Sequence, residues 1–185
     1  QGEHAWDDSP TGVASSIDIA PKRVVGCPPG ARVTIDEQDV VATTSGTITA
    51  VGDPDNRKDP KHSIVEITED GTGLIFQKLH LDKTPATVKK GTHINRGDPI
   101  GKASCETPPG GRTTGVHVHE DVMDKNGKYI PIRGLVFSGY TVNGDTMTRQ
   151  DGTIKTADDR RCDNDTVCGG IRNDLVPDGN QIATS

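Results

Sequence analysis

Glycine and proline recur so closely along this chain that long helices have little room. The 185 residues include 22 glycines and 12 prolines. No stretch of about 12 residues combines a 3.6-residue apolar period with helix-capping signals. Short β-type runs alternate instead with turn sequences such as Asp-Pro-Asp and Glu-Asp-Gly. The runs are residues 32–35, 39–43, 46–51, 63–68, 73–80, 88–94, 98–102 and 115–123. We therefore predict a mainly β, antiparallel protein in which any helix is short.

The composition predicts one domain with a thin core and a polar extension. Hydrophobic residues make up 30% of the chain, and only two Phe, two Tyr and one Trp are aromatic. From about residue 136 the sequence becomes rich in Thr, Asp and Gly and carries two of the four cysteines. We interpret residues 1–135 as the domain and residues 136–185 as a C-terminal extension that packs on it or trails from it.

Charge and hydropathy exclude two classes of partner. The net charge is −6 with a pI near 5.4, and nucleic-acid binding needs a clustered excess of Lys and Arg that does not occur here. No apolar run approaches the ~18 residues of a membrane-spanning helix. The chain starts at Gln1 without an initiator Met or an apolar leader, which is typical of a processed secretory product. We expect a secreted, extracellular monomer.

The four cysteines are even in number and lack the paired C-x-x-C spacing of a zinc site. They are Cys27, Cys105, Cys162 and Cys168. Of the three ways to pair them, we favour Cys27 with Cys105 and Cys162 with Cys168, so that a small loop staples the extension. Four free, buried thiols are the alternative.

The sequence HVHE at residues 117–120 contains an H-x-H pair inside a β-type run. Side chains alternate between the faces of a strand, so His117 and His119 are predicted to point the same way. Glu120 is then turned away from them, and we assign it no catalytic role. An H-x-H pair alone is a weak signal, because a solvent-facing pair or a core pair gives the same pattern.

Three further residues make a metal site more plausible. His80 ends a β-type run, Asp18 lies between apolar residues, and His4 stands near the start of the chain. A carboxylate and several imidazoles form a ligand set suited to Zn²⁺. Two other histidines, His62 and His93, lie in turn-rich segments, and we expect both to be solvated surface residues without a function.

Several motifs resemble, in order, those of the LytM/lysostaphin-type (M23) zinc metallopeptidases. Residues 88–101 read VKKGTHINRGDPIG, and residues 114–120 read TGVHVHE. They are similar to the family's V-K-x-G-x-x-V-x-x-G-x-x-I-G and T-G-x-H-L-H-F-E, and residues 79–81, LHL, resemble its Y-x-H-L. The resemblance covers about residues 2 to 135 and implies the family's antiparallel β core, a duplicated hybrid motif.

The resemblance also implies roles for individual residues. In the family the second His of H-x-H binds zinc, here His119, while the first, His117, and the His of H-L, His80, serve catalysis. The family's first zinc His usually precedes the Asp by four residues, where this chain has Ala14. The β-lytic/staphylolysin branch instead has G-x-H well upstream of S-S-x-D, which this chain resembles. The metal ligands are then His4, Asp18 and His119, and a decayed site with only Asp18 and His119 is the alternative.

The resemblance implies a secreted zinc metalloendopeptidase that cleaves peptide stems or cross-bridges of bacterial peptidoglycan, including glycine-containing bonds, by a zinc-activated water. His117 and His80 would assist proton transfer. Two alternatives stay open: a non-catalytic wall-binding or activator module on the same fold, and a polysaccharide-cleaving enzyme that uses the same His-rich groove.

Overall fold

The computed structural model describes residues 15–21, 25–137, 140–143 and 146–152, and the backbone of residues 154–156 and 171–172. Throughout these residues the regular structure is β-strand without helix, so no membrane-spanning helix occurs among them. The strands are β1 (Ser16–Ala20), β2 (Thr34–Val41), β3 (Gly46–Val51), β4 (Val65–Glu69), β5 (Ile75–Leu79), β6 (Leu81–Asp82), β7 (His93–Ile94), β8 (Pro99–Ser104), β9 (Val118–Met123), β10 (Val136–Phe137), β11 (Tyr140–Asn143), β12 (Thr146–Arg149), β13 (Ile154–Thr156) and β14 (Ile171–Arg172).

The strands form three sheets. A seven-stranded sheet has the order β14-β1-β9-β5-β4-β3-β7, a three-stranded sheet the order β2-β8-β6, and a four-stranded sheet the order β10-β11-β12-β13. Neighbours are antiparallel except β14, which pairs parallel with β1. The prediction of a mainly antiparallel β fold is confirmed.

Two strand predictions need correction. Residues 32–35 and 39–43 were expected to form separate strands, but one strand, β2, spans Thr34–Val41. Its exposed acids, Asp36 and Glu37, face solvent at a register shift and do not end the strand. Of residues 88–94, only His93–Ile94 is strand, because Gly91 adopts a positive φ in a turn. The third strand, Gly46–Val51, has the predicted bounds.

One face of the seven-stranded sheet carries both hydrophobic clusters. The first cluster packs residues such as Ile48, Ile67 and Val118 against the three-stranded sheet. The second packs Ile17 and Val122, among others, against the four-stranded sheet. The opposite face carries polar side chains in its middle, among them Asp18, His119 and Asp121, since residues alternate along each strand.

The C-terminal part of the chain supplies core as well as polar surface. Phe137, Tyr140, Val142 and Met147, from β10, β11 and β12, are buried in the second cluster. The division at residue 135 remains a prediction. The predicted Cys27–Cys105 disulfide is present, whereas Cys162 and Cys168 lie outside the described residues.

Candidate active site

Asp18 and His119 face each other across two central strands. They are register partners on β1 and β9, on the polar face of the seven-stranded sheet. The Asp18 carboxylate Oδ1 lies 2.8 Å from Nδ1 of His119, and both side chains are buried. Strand pairing therefore brings together two residues that are about a hundred positions apart in the chain.

His117 joins the same carboxylate from the residue before β9. Its Nδ1 lies 2.8 Å from the Gly115 carbonyl, to which it donates, so Nε2 is the ring nitrogen that faces the site. That Nε2 lies 3.4 Å from Asp18 Oδ1. The two histidines of the H-x-H pair thus share a face, as strand alternation predicts.

His80 stands beside the pair, in the single residue between β5 and β6. Its ring centroid is 4.6 Å from that of His117 and 6.4 Å from that of His119. Nδ1 donates to the Glu106 carbonyl at 2.8 Å. Burial, and after it the neighbouring His117, lowers the pKa of His80 to about 3. The ring is therefore neutral near pH 7, with a lone pair on Nε2.

The donors on this face fit a divalent cation. One ligand atom from each of Asp18, His117 and His119 lies within 4.8 Å of the others. Burial alone would raise the pKa of Asp18, but the charge and hydrogen bond of His117, with those of His119, hold it well below its ordinary value. An ionised carboxylate with imidazole nitrogens is the donor chemistry that zinc prefers.

The surroundings of His119 strengthen this fit. Its Nε2 faces Asp121 Oδ1 at 3.2 Å while its Nδ1 faces Asp18. Burial alone would lower the pKa of His119, but hydrogen bonds to Asp121 and Asp18 raise it to about 9. Both ring nitrogens therefore need protons in the protein alone. A cation between His119 and Asp18 would take the place of the proton on Nδ1, while Asp121 keeps the proton on Nε2.

Asp121 is the site residue that sequence reasoning missed. It is fully buried, and the Ser16 hydroxyl donates to the same Oδ1 that faces His119. Alternation offered a signal, because a residue two positions after His119 shares its face. Glu120 lies on the opposite face as predicted, where it pairs with Lys78.

The expectation of a solvated surface position is wrong for His62 and confirmed for His93. The His62 ring is 1% exposed and contacts the Asp53 carbonyl and the Glu106 carboxylate at 2.9 and 2.7 Å. Its turn-rich neighbours are exposed, but the ring itself points inward to a buried acid. His93 is 52% exposed and pairs only with Asp70 among the described contacts. His4, the predicted third ligand, lies outside the described residues.

An antiparallel sheet that gathers a carboxylate and imidazoles at one point provides the donors of a metal centre. The family model "Peptidase family M23" matches residues 29–131, more than half of the chain. The chain therefore belongs to peptidase family M23 and is a metallopeptidase. The match includes His80, His117 and His119, and it begins after Asp18.

The solved structures similar to this chain include the following two. One, from a study titled "Identification and structural characterization of LytU", has 24% identity and a TM-score of 0.45, covering 72% of this chain and 79% of its own. The other, described as a novel M23 metalloprotease, pseudoalterin, from the deep sea, has 15% identity and a TM-score of 0.46, covering 83% and 91%. No curated protein sequence matches the chain.

Proposed function

We propose that this metallopeptidase is a secreted, monomeric zinc endopeptidase that hydrolyses peptide bonds in bacterial peptidoglycan, in the stems or the cross-bridges. The observation that carries the proposal is the convergence of Asp18, His117 and His119 on one point, with His80 at their side. The resemblance of the motifs to LytM-type enzymes supports the choice of substrate.

Zinc would be held by His4, Asp18 and His119, with Asp121 fixing the orientation of the His119 ring. When bound, zinc supplies Lewis acidity, which lowers the pKa of a water molecule and polarises a peptide carbonyl. The His4 assignment rests on the motif resemblance, whereas the positions of Asp18 and His119 are visible in the structure.

His80 and His117 are suited to move the proton. Each donates its Nδ1–H to a backbone carbonyl, that of Glu106 for His80 and that of Gly115 for His117. Nε2 of each ring is therefore the atom that accepts a proton from the attacking water. The same atom can pass it to the amine nitrogen that leaves when the peptide bond breaks.

A cavity of about 680 Å³ next to these histidines gives room for a peptide. It is lined by residues 27–31 and 105–114, together with Arg57. The Thr113 hydroxyl at its edge lies 3.4 Å from Nδ1 of His117, and the Glu106 carbonyl, on another lining residue, holds His80. Thr113 and Glu106 therefore connect the lining of this cavity to both proton-transfer groups.

The test is product analysis of purified peptidoglycans with different cross-links, digested by the zinc-loaded protein. We expect new amino groups and matching peptide fragments by mass spectrometry, lost on chelation and restored by zinc. A protein that binds walls without releasing amines would be a non-catalytic module. New reducing ends or unsaturated sugars without amines would instead make it a polysaccharide-cleaving enzyme.

A further inference from the structure

A second polar cluster, built around a buried carboxylate, lies next to the metal site and is not explained by metal binding. Its centre is the Glu106 carboxylate, which is 3% exposed. Arg57 donates two hydrogen bonds to it, at 2.6 and 3.1 Å, and Nε2 of His62 lies 2.7 Å away. Nε of Arg32 approaches to 3.7 Å. We call Glu106, Arg57, His62 and Arg32 the Glu106 cluster.

The cluster is arranged to keep this carboxylate ionised. Burial alone would raise the pKa of Glu106, but hydrogen bonds from Arg57 and His62 hold it below its ordinary value. Nδ1 of His62 faces the Asp53 carbonyl, so both ring nitrogens of His62 face oxygens that act only as acceptors.

The backbone of Glu106 contacts the proposed catalytic machinery directly. Its carbonyl accepts the Nδ1–H of His80 at 2.8 Å. Two residues earlier, the amide and the hydroxyl of Ser104 both donate to the His80 carbonyl, at 2.8 and 2.9 Å. The Glu106 amide donates in turn to the Ser104 hydroxyl at 3.1 Å. Residues 104–106 therefore hold both the ring and the backbone of His80.

His80 needs such support because its backbone is strained. Its φ is +66°, in the left-handed region that residues other than glycine adopt at a cost. Strained residues at functional sites persist where the surrounding structure over-determines them. The contacts from Ser104 and Glu106 provide that restraint, and the Glu106 side chain anchors the segment that makes them.

We propose that Glu106 is a positioning residue for His80: its carboxylate, anchored by Arg57 and His62, fixes the peptide group whose carbonyl selects the Nδ1–H tautomer of His80. This tautomer leaves Nε2 of His80, whose ring lies beside that of His117, without a proton. The catalytic consequence rests on the proposed peptidase function, whereas the tautomer itself does not.

The experiment compares the zinc-loaded full chain with Glu106→Ala and Glu106→Gln. The matched control is Glu69→Gln, because the Glu69 carboxylate accepts its hydrogen bonds from Thr44 and Thr72 instead of from a histidine. Long-range ¹⁵N–¹H correlation spectra at fixed neutral pH report the histidine tautomers. The His80 signals are assigned by their absence in His80→Gln.

We expect His80 to be in the Nδ1–H tautomer in the wild type and in Glu69→Gln, and to shift toward the other tautomer in Glu106→Ala. Turnover on peptidoglycan should fall ~10–100-fold in Glu106→Ala, with KM little changed and the zinc content retained. Glu106→Gln should lie between, because its amide oxygen still accepts hydrogen bonds.

The proposal is overturned if Glu106→Ala lowers the melting temperature but leaves the His80 tautomer unchanged, because Glu106 then only stabilises the fold. If Glu106→Ala fails to fold, the His80 tautomer is measured in Glu106→Gln and in His62→Gln instead. A wild type that has the expected tautomer but releases no amines would contradict the proposed function and leave the positioning role supported.

Discussion

A buried ion pair lies on the apolar side of the seven-stranded sheet, opposite the histidines. Lys78 and Glu120 are register partners on β5 and β9, and their side chains are 1% and 0% exposed. The ammonium group bonds Glu120 and, at 2.5 Å, the Thr43 hydroxyl, which itself donates to Glu120. Burial lowers the pKa of Lys78, and the charge of Glu120 opposes that change.

Removing one partner should be far more damaging than removing both. Glu120→Leu leaves the Lys78 ammonium buried without its counter-charge, which costs ~3–5 kcal/mol. This is a large share of the ~5–15 kcal/mol that holds a typical domain folded. At ~2–4 °C per kcal/mol for a chain of this length, the melting temperature should fall by ~6–20 °C.

The companion variant replaces the cluster with apolar side chains: Lys78→Met, Glu120→Leu and Thr43→Val. It removes both charges and the hydroxyl that bonds them, so most of the lost stability should return. Urea unfolding of the zinc-loaded protein, followed by far-UV circular dichroism, measures both variants. The reasoning is refuted if Glu120→Leu costs less than about 1 kcal/mol, or if the triple variant is as unstable as the single one.

Three further predictions concern the site itself. His80→Ala and His117→Ala should each retain zinc, measured by elemental analysis, and lose ~10²–10⁴-fold in turnover; zinc loss in His117→Ala would make that residue a ligand. Asp121→Asn should weaken zinc binding ~10–100-fold in a competition titration with a chelator, and unchanged affinity would remove Asp121 from the site. In the metal-free protein, His119, with its pKa raised from 6.5 to about 9, contributes stability that is complete below pH 6.5 and lost as the pH rises through 9. Unfolding curves of the zinc-free protein at several pH values should show this loss. If the stabilities of wild type and His119→Gln fall in parallel as the pH rises, the prediction is wrong.

The sequence predicted the parts of the fold that depend on local pattern. Alternation along residues 117–120 placed His117 and His119 on one face and Glu120 on the other, and Gly46–Val51 has the bounds that its turns indicated. Strand ends were less predictable, because exposed polar residues such as Asp36 continue β2 at a register shift. Where such a strand ends depends on which strands pair and in which register, and the local sequence pattern does not contain that information.

The site was predictable as a set of residue types and not as a geometry. The register that places Asp18 opposite His119 depends on the pairing of two segments that are distant in the sequence. Only the motif resemblance indicated that these two residues belong to one site. His62 was misjudged because its neighbours are polar turn residues, whereas its partner, Glu106, comes from another part of the chain. Glu106 also reaches His80 through its backbone, and no side-chain pattern reports such a contact.

The most direct test of a metal centre on this sheet is an anomalous difference map at the zinc edge from crystals of the zinc-loaded protein. The arrangement of donors predicts one peak per chain, bonded to a carboxylate oxygen of Asp18 and to Nδ1 of His119, and the motif resemblance adds His4 as the proposed further ligand. A map without a peak at Asp18 and His119, from crystals that contain zinc, would contradict the metallopeptidase site described here.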